Sequence, residues 1–72
     1  MRTEEDKNKL RHLGHKIKTI RIQKGMNQTE FANSIGKDQP CVNRLENGRV
    51  NPGYLYLQLI AKGLEIEVKD LF

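Results

Sequence analysis

Apolar side chains recur along this chain in steps of three and four, the spacing of one helix face. Between Lys9 and Lys24 they fall at Leu10, Leu13, Ile17 and Ile20, predicting a first helix that stops at Gly25. Asn27 stands where an N-cap belongs, with Glu30 three residues on to complete a capping box. Phe31, Ala32 and Ile35 then form the inner face of a short second helix ending at Gly36. Asp38 opens a third helix, with Pro40 in a first turn that tolerates a missing N–H. Val42 and Leu45 share one side of it, while Pro40, Asn43, Arg44 and Asn47 cluster opposite. Gln39 sits at its exposed N-terminal end, and Gly48 closes it. Asn51 and Pro52 introduce a fourth helix to Gly63, with Tyr54, Leu57, Ile60 and Ala61 inward. Leu55 and Leu59 lie one turn apart on a neighbouring stripe. The tail "IEVKDLF" offers Ile66, Val68, Leu71 and Phe72 to a short fifth helix. Alternation in "LEIEVKD" also fits a strand, but an isolated strand has nothing to pair with. The expectation is all-α: a compact five-helix domain.

Length restricts the function classes. At 72 residues the chain is one domain at most, near the lower limit of what folds alone. Residues 10–72 are expected to form it. Residues 1–9, "MRTEEDKNK", are apolar only at Met1 and read as a flexible lead-in. One core leaves no separate catalytic or ligand-sensing domain. Lys and Arg number 13 against 9 Asp and Glu, a net charge of +4. That excess favours a polyanion as partner, although many small basic proteins bind none. No apolar run reaches membrane-spanning length and no signal-peptide core is present, so no membrane partner is expected.

Candidate chemistry is sparse. Cys41 is the only cysteine, which excludes an internal disulfide and fits a reducing cytoplasm. It reads as a small apolar filler beside the core rather than as an oxidation sensor. His12 and His15 lie three apart, but two ligands make no metal site and nothing completes one. No metal and no cofactor are expected. Ser34, the sole serine, lacks a triad context, and no paired acid–base constellation points to an enzyme. Tyr54 and Tyr56 read as packing or rim residues.

The second and third helices, joined by "SIGK", match the helix-turn-helix unit. In that unit the second helix crosses the duplex backbone and the third lies in the major groove. The third therefore needs an apolar face for the core and a polar face for base edges, which is the division these residues show. Arg can bond guanine bidentately, and Asn or Gln can do so with adenine. Gln28 follows an N-cap, where backbone N–H groups already favour an anion.

"RIQKGMNQTEFANSIG", "VNRLENG" and the closing "LIAKGLEI...LF" make the chain similar to a known family. From about Leu13 to Phe72 it resembles the DNA-binding domain of the lambdoid phage repressor and Cro family, often called Xre-type. The resemblance implies a regulator that binds a palindromic operator on double-stranded DNA as a homodimer. Its setting would be the cytoplasm, on the nucleoid, of a bacterial or phage-encoded system. Position by position it implies a phosphate contact for Gln28, and base reading by Gln39, Pro40, Asn43 and Arg44. It implies backbone contacts for Asn47 and Arg49, and a salt bridge between Arg21 and Glu46. Pro40 departs from the family pattern, since it offers no side-chain hydrogen bond, and would meet a thymine methyl instead.

Other readings stand beside these. Without the resemblance, the polar third-helix face would be a solvated face, and Arg21 and Glu46 surface charges. The place of Glu46 near the core side of its helix favours the pair. Leu55, Leu59, Val68 and Phe72 are apolar surface left over on the last two helices, expected to form a two-fold interface, with Leu71 completing the core. A contact there leaves both third helices free for half-sites about 34 Å apart. A restriction–modification controller, a phage repressor and an autoregulating antitoxin all fit. The reading from another class is a protein-interaction module that binds a toxin or an RNA polymerase subunit. The polarity of the third-helix face argues against it, because interface cores are less polar.

Overall fold

The computed structural model describes residues 3–72, so Met1 and Arg2 of the expected lead-in lie outside that range. Four α-helices and one 3-10 turn follow in order: α1 (Glu4–Gln23), α2 (Gln28–Ser34), α3 (Gln39–Glu46), α4 (Tyr54–Leu64) and the turn Val68–Leu71. The tail expected as a fifth α-helix is instead a single tighter turn, Val68–Leu71, the short form in which 3-10 geometry is found.

Residues 4–9, expected as a lead-in, form the first turns of α1. They contain no apolar residue, and local polar chemistry makes the helix instead. The Thr3 hydroxyl accepts the Asp6 N–H at 3.0 Å, and the Asp6 carboxylate reaches back to the Thr3 N–H at 3.5 Å. Glu4, Glu5 and Asp6 set negative charge against the positive end of the helix. Elongation from the packed part of α1 then adds residues at little further entropic cost.

Ile17, Phe31, Val42, Leu45, Ile60, Leu64 and Leu71 are fully buried, so every helix and the final turn contribute to one core. Burying each such side chain stabilises by roughly 1.5–3 kcal/mol. Two glycines mark where backbones come closest. A Cβ on Gly14 would stand 2.5 Å from the carbonyl oxygens of Leu45 and Glu46, so α1 meets the last turn of α3 backbone to backbone. A Cβ on Gly63 would stand 2.5 Å from Cγ2 of Ile35.

Gly63 is therefore a packing residue and not the expected helix stop. α4 continues to Leu64 and closes on Glu65, whose φ of 58° is left-handed. The other end also differs from expectation. Tyr54 is 66% exposed, because it opens α4 on the outward side, while Tyr56 and Leu57 of the same turn pack on the core. The inward stripe is Leu57, Ile60, Ala61 and Leu64. Among the described residues no helix is long and apolar enough to cross a membrane.

Candidate nucleic-acid interface

α3 has eight residues, too few to persist alone in water, so tertiary contacts must hold it. Its start is capped: Asp38 Oδ1 accepts the Cys41 N–H at 2.9 Å, and Pro40 lies in the first turn. Val42 and Leu45 point into the core. That orientation leaves Gln39, Pro40, Asn43 and Arg44 exposed on the far side, with Asn47 and Arg49 exposed just past the helix end.

The C-terminal end of α3 is fixed by charge. Arg21 Nε lies 2.6 Å from Glu46 Oε2, and Arg21 Nη2 donates to Glu46 Oε1 at 3.1 Å. The third arm of the guanidinium, Nη1, donates to the Met26 carbonyl at 2.7 Å. The two side chains are 7% and 2% exposed, so this is a buried, two-pronged pair. Among the described residues no buried side-chain nitrogen or oxygen lacks a partner. Such satisfaction is what makes a buried charge pair tolerable.

Gln28 occupies a different place from a simple phosphate contact. Its amide nitrogen donates to Glu46 Oε1 at 3.0 Å, and its carbonyl accepts from Gln39 Nε2 at 2.6 Å. A continuous polar chain thus runs from buried Arg21 through Glu46 and Gln28 to exposed Gln39. The sequence carried no signal for it beyond a polar residue at the start of α2, because its partners lie 18 and 11 residues away.

Asn47 is also engaged: its Nδ2 donates to the Asn43 carbonyl at 2.9 Å and to Asn43 Oδ1 at 3.2 Å. Of Gln28, Asn47 and Arg49, the residues expected on the phosphate backbone, only Arg49 has no side-chain partner among the described residues. Arg44 reaches back one turn along its own helix, with Nη2 3.3 Å from Cys41 Sγ. Hydrogen bonding from Cys41, helped by the Arg44 charge, holds the Asp38 carboxyl below its ordinary value of 3.8. At the same end of α3, the Lys37 ammonium lies 5.4 Å from the centre of the Tyr56 ring, tying the α2–α3 turn to α4.

The four residues expected at a dimer contact do not stand alike. Leu55 and Phe72 are each 78% exposed, whereas Leu59 and Val68 are half-buried and Leu59 packs on the core.

Residues 17–71 match the family model described as helix-turn-helix. The control protein C.MunI of a Mycoplasma species is 35% identical over 60 residues, 82% of this chain and 81% of its own. Among solved structures, the restriction-modification controller protein C.AhdI from Aeromonas hydrophila superposes with a TM-score of 0.86 at 29% identity, over 90% of this chain and 98% of that one. A hypothetical transcription factor from Neisseria, NHTF, gives a TM-score of 0.80 at 27% identity, over 90% and 76%. The matched segment takes in α2, the turn, α3 and the Arg21–Glu46 anchor, and with it the chain belongs to the helix-turn-helix family of non-enzymatic, DNA-binding transcriptional regulators.

Proposed function

We propose that the chain is a restriction–modification controller: a homodimer that occupies a palindromic operator, with α3 in the major groove of each half-site. The observation that carries this reading is the solvent-facing polar side of α3 on a helix locked at both ends. A helix held by directional bonds keeps its side chains in register with base edges. In this reading Arg44 pairs with guanine, Asn43 and Gln39 with adenine, and Pro40 meets a thymine methyl. Gln28 holds Gln39 in place and faces the phosphate strand, while Arg49 and, once freed from Asn43, Asn47 hold that strand. Leu55 and Phe72 form the centre of the dimer contact, with Leu59 and Val68 at its edge. The names of two relatives, both controllers, support the choice of subclass over a phage repressor or an antitoxin.

Selection of binding sites from random DNA tests the reading. Arg44→Ala should lose roughly 1–3 kcal/mol of binding and relax preference at one base pair per half-site. Wild type and variant selecting the same site with the same stringency would remove Arg44 from the base readers.

A further inference from the structure

We propose that the N-terminal half of α1 builds a second clamp for the DNA backbone, with Lys7 and Arg11 joining Arg49 on neighbouring phosphates of one strand. The three side chains line a single open depression together with Asn47 and Gly48. Lys7 and Arg11 are four residues apart on α1, hence neighbours on one face. Gly48 brings Arg49 to them. Its φ is 74°, and a Cβ there would stand 2.7 Å from Cα of Arg11, so the loop leaving α3 rests directly on α1.

The charges in this depression are nearly all of one sign. The nearest carboxylate is Glu4, at 3.9 Å from Arg11 Nη2, and Arg11 also donates to Asn8. Among the described residues Lys7 and Arg49 have no side-chain partner. Three cations gathered against one loosely held carboxylate repel one another, and an anion relieves that repulsion. Arg supplies planar donors matched to phosphate oxygens, and Lys supplies a compact charge.

Position selects the polymer. The depression lies at the exit of α3, where a helix in the major groove leaves the bases and meets a sugar–phosphate strand. The clamp therefore rests on the DNA-binding reading above and extends it. Its α1 residues precede the family-matched segment, which begins at residue 17. They lengthen the footprint without adding sequence preference.

The test uses the full chain and two duplex probes of equal length, one carrying the site selected from random DNA and one of mixed sequence. For the Lys7→Gln/Arg11→Gln double variant, the slope of log affinity against log salt should flatten by about 0.9 for each phosphate no longer neutralised. The fold loss should be the same on both probes, and Arg11→Lys should retain most of the slope. Both residues are exposed, and a melting midpoint equal to wild type separates weakened DNA binding from failure to fold. An unchanged slope in a variant that otherwise binds like wild type overturns the clamp and leaves the α3 reading standing. A loss confined to the selected site overturns it as well. Wild type with no salt-dependent binding to either probe overturns both.

Discussion

α3 and α4 differ in how their ends and outer faces are held. α3 begins on the Asp38 side-chain cap and ends with Glu46 in a buried ion pair. α4 begins on Gly53 with no side-chain cap and ends on Glu65 in left-handed backbone. The outer face of α3 is polar, whereas α4 leaves Leu55 in solvent. The hydrophobic effect has no direction, so it can seat the Val42 and Leu45 stripe but cannot fix the rotation or tilt of an eight-residue helix. Directional bonds do that for α3. α4 relies mainly on apolar burial, with the contact of exposed Lys37 on Tyr56 as a charged tie to the α2–α3 turn. A domain this small runs out of interior before it runs out of apolar side chains.

The largest test of that contrast is Glu46→Ala. It leaves the Arg21 guanidinium buried with only the Met26 carbonyl and deprives Gln28 of its acceptor. The expected loss is roughly 3–5 kcal/mol, against a typical total of about 5–15 kcal/mol, read from the unfolding midpoint without DNA. A loss under about 1 kcal/mol would mean that packing alone holds α3.

Next come the two close approaches. Gly14→Ala and Gly63→Ala should each destabilise, by about 1–3 kcal/mol for a strained contact. Gly14 should be the worse, because its obstacles are backbone carbonyls of α3 that cannot rotate away. Gly63 meets only side-chain atoms, the Ile35 methyl, the Ser34 hydroxyl and the Phe31 ring, which can give by small shifts. Equal midpoints for the two variants, or the reverse ranking, would show that the α1–α3 seam is no tighter than the α2–α4 seam.

Leu55→Ser should leave the dilute protein within about 0.5 kcal/mol of wild type, as exposed positions do. It should nevertheless weaken self-association, followed by sedimentation. Wild type that remains monomeric well above the concentrations needed to bind DNA would remove α4 as a dimer surface.

The smallest effect concerns pH. The Asp38 carboxyl is held below 3.8 in the folded chain by Cys41 hydrogen bonding. Its contribution is therefore complete above that value and fades as acid protonates the folded carboxylate. Asn also caps helices but does not titrate in this range. The midpoint of Asp38→Asn should fall slightly below wild type at neutral pH and converge with it as acid protonates the folded carboxylate. A gap that stays constant with pH would show that the charge of the cap is irrelevant.

The turns and inner faces of this protein were legible in the sequence because they are local. Asn27, Asp38 and the left-handed glycines at 25, 36 and 48 act on backbone within a few residues of themselves. Spacing of three and four placed Ile17, Phe31, Val42, Leu45 and Ile60 inside correctly. The first turns of α1 were not legible, because apolar periodicity is blind to a helix made by caps and acidic residues. Gly63 misled because one residue type serves both for stopping a helix and for letting two helices touch.

What the chain determined by itself is therefore where it turns and which face of each helix is apolar. The tertiary structure decided which polar groups meet, because such meetings join residues that no local rule connects. Arg21 and Glu46 are 25 residues apart, and their pairing was implied by family likeness, not by spacing. Gln28 spans from Glu46 to Gln39 only because α2 and α3 cross where they do. Lys7, Arg11 and Arg49 share one depression only because Gly14 and Gly48 let α3 and its exit loop lie flat on α1. Periodicity reports how a helix divides its own surface between water and core. The distances between those surfaces exist only once the helices have packed.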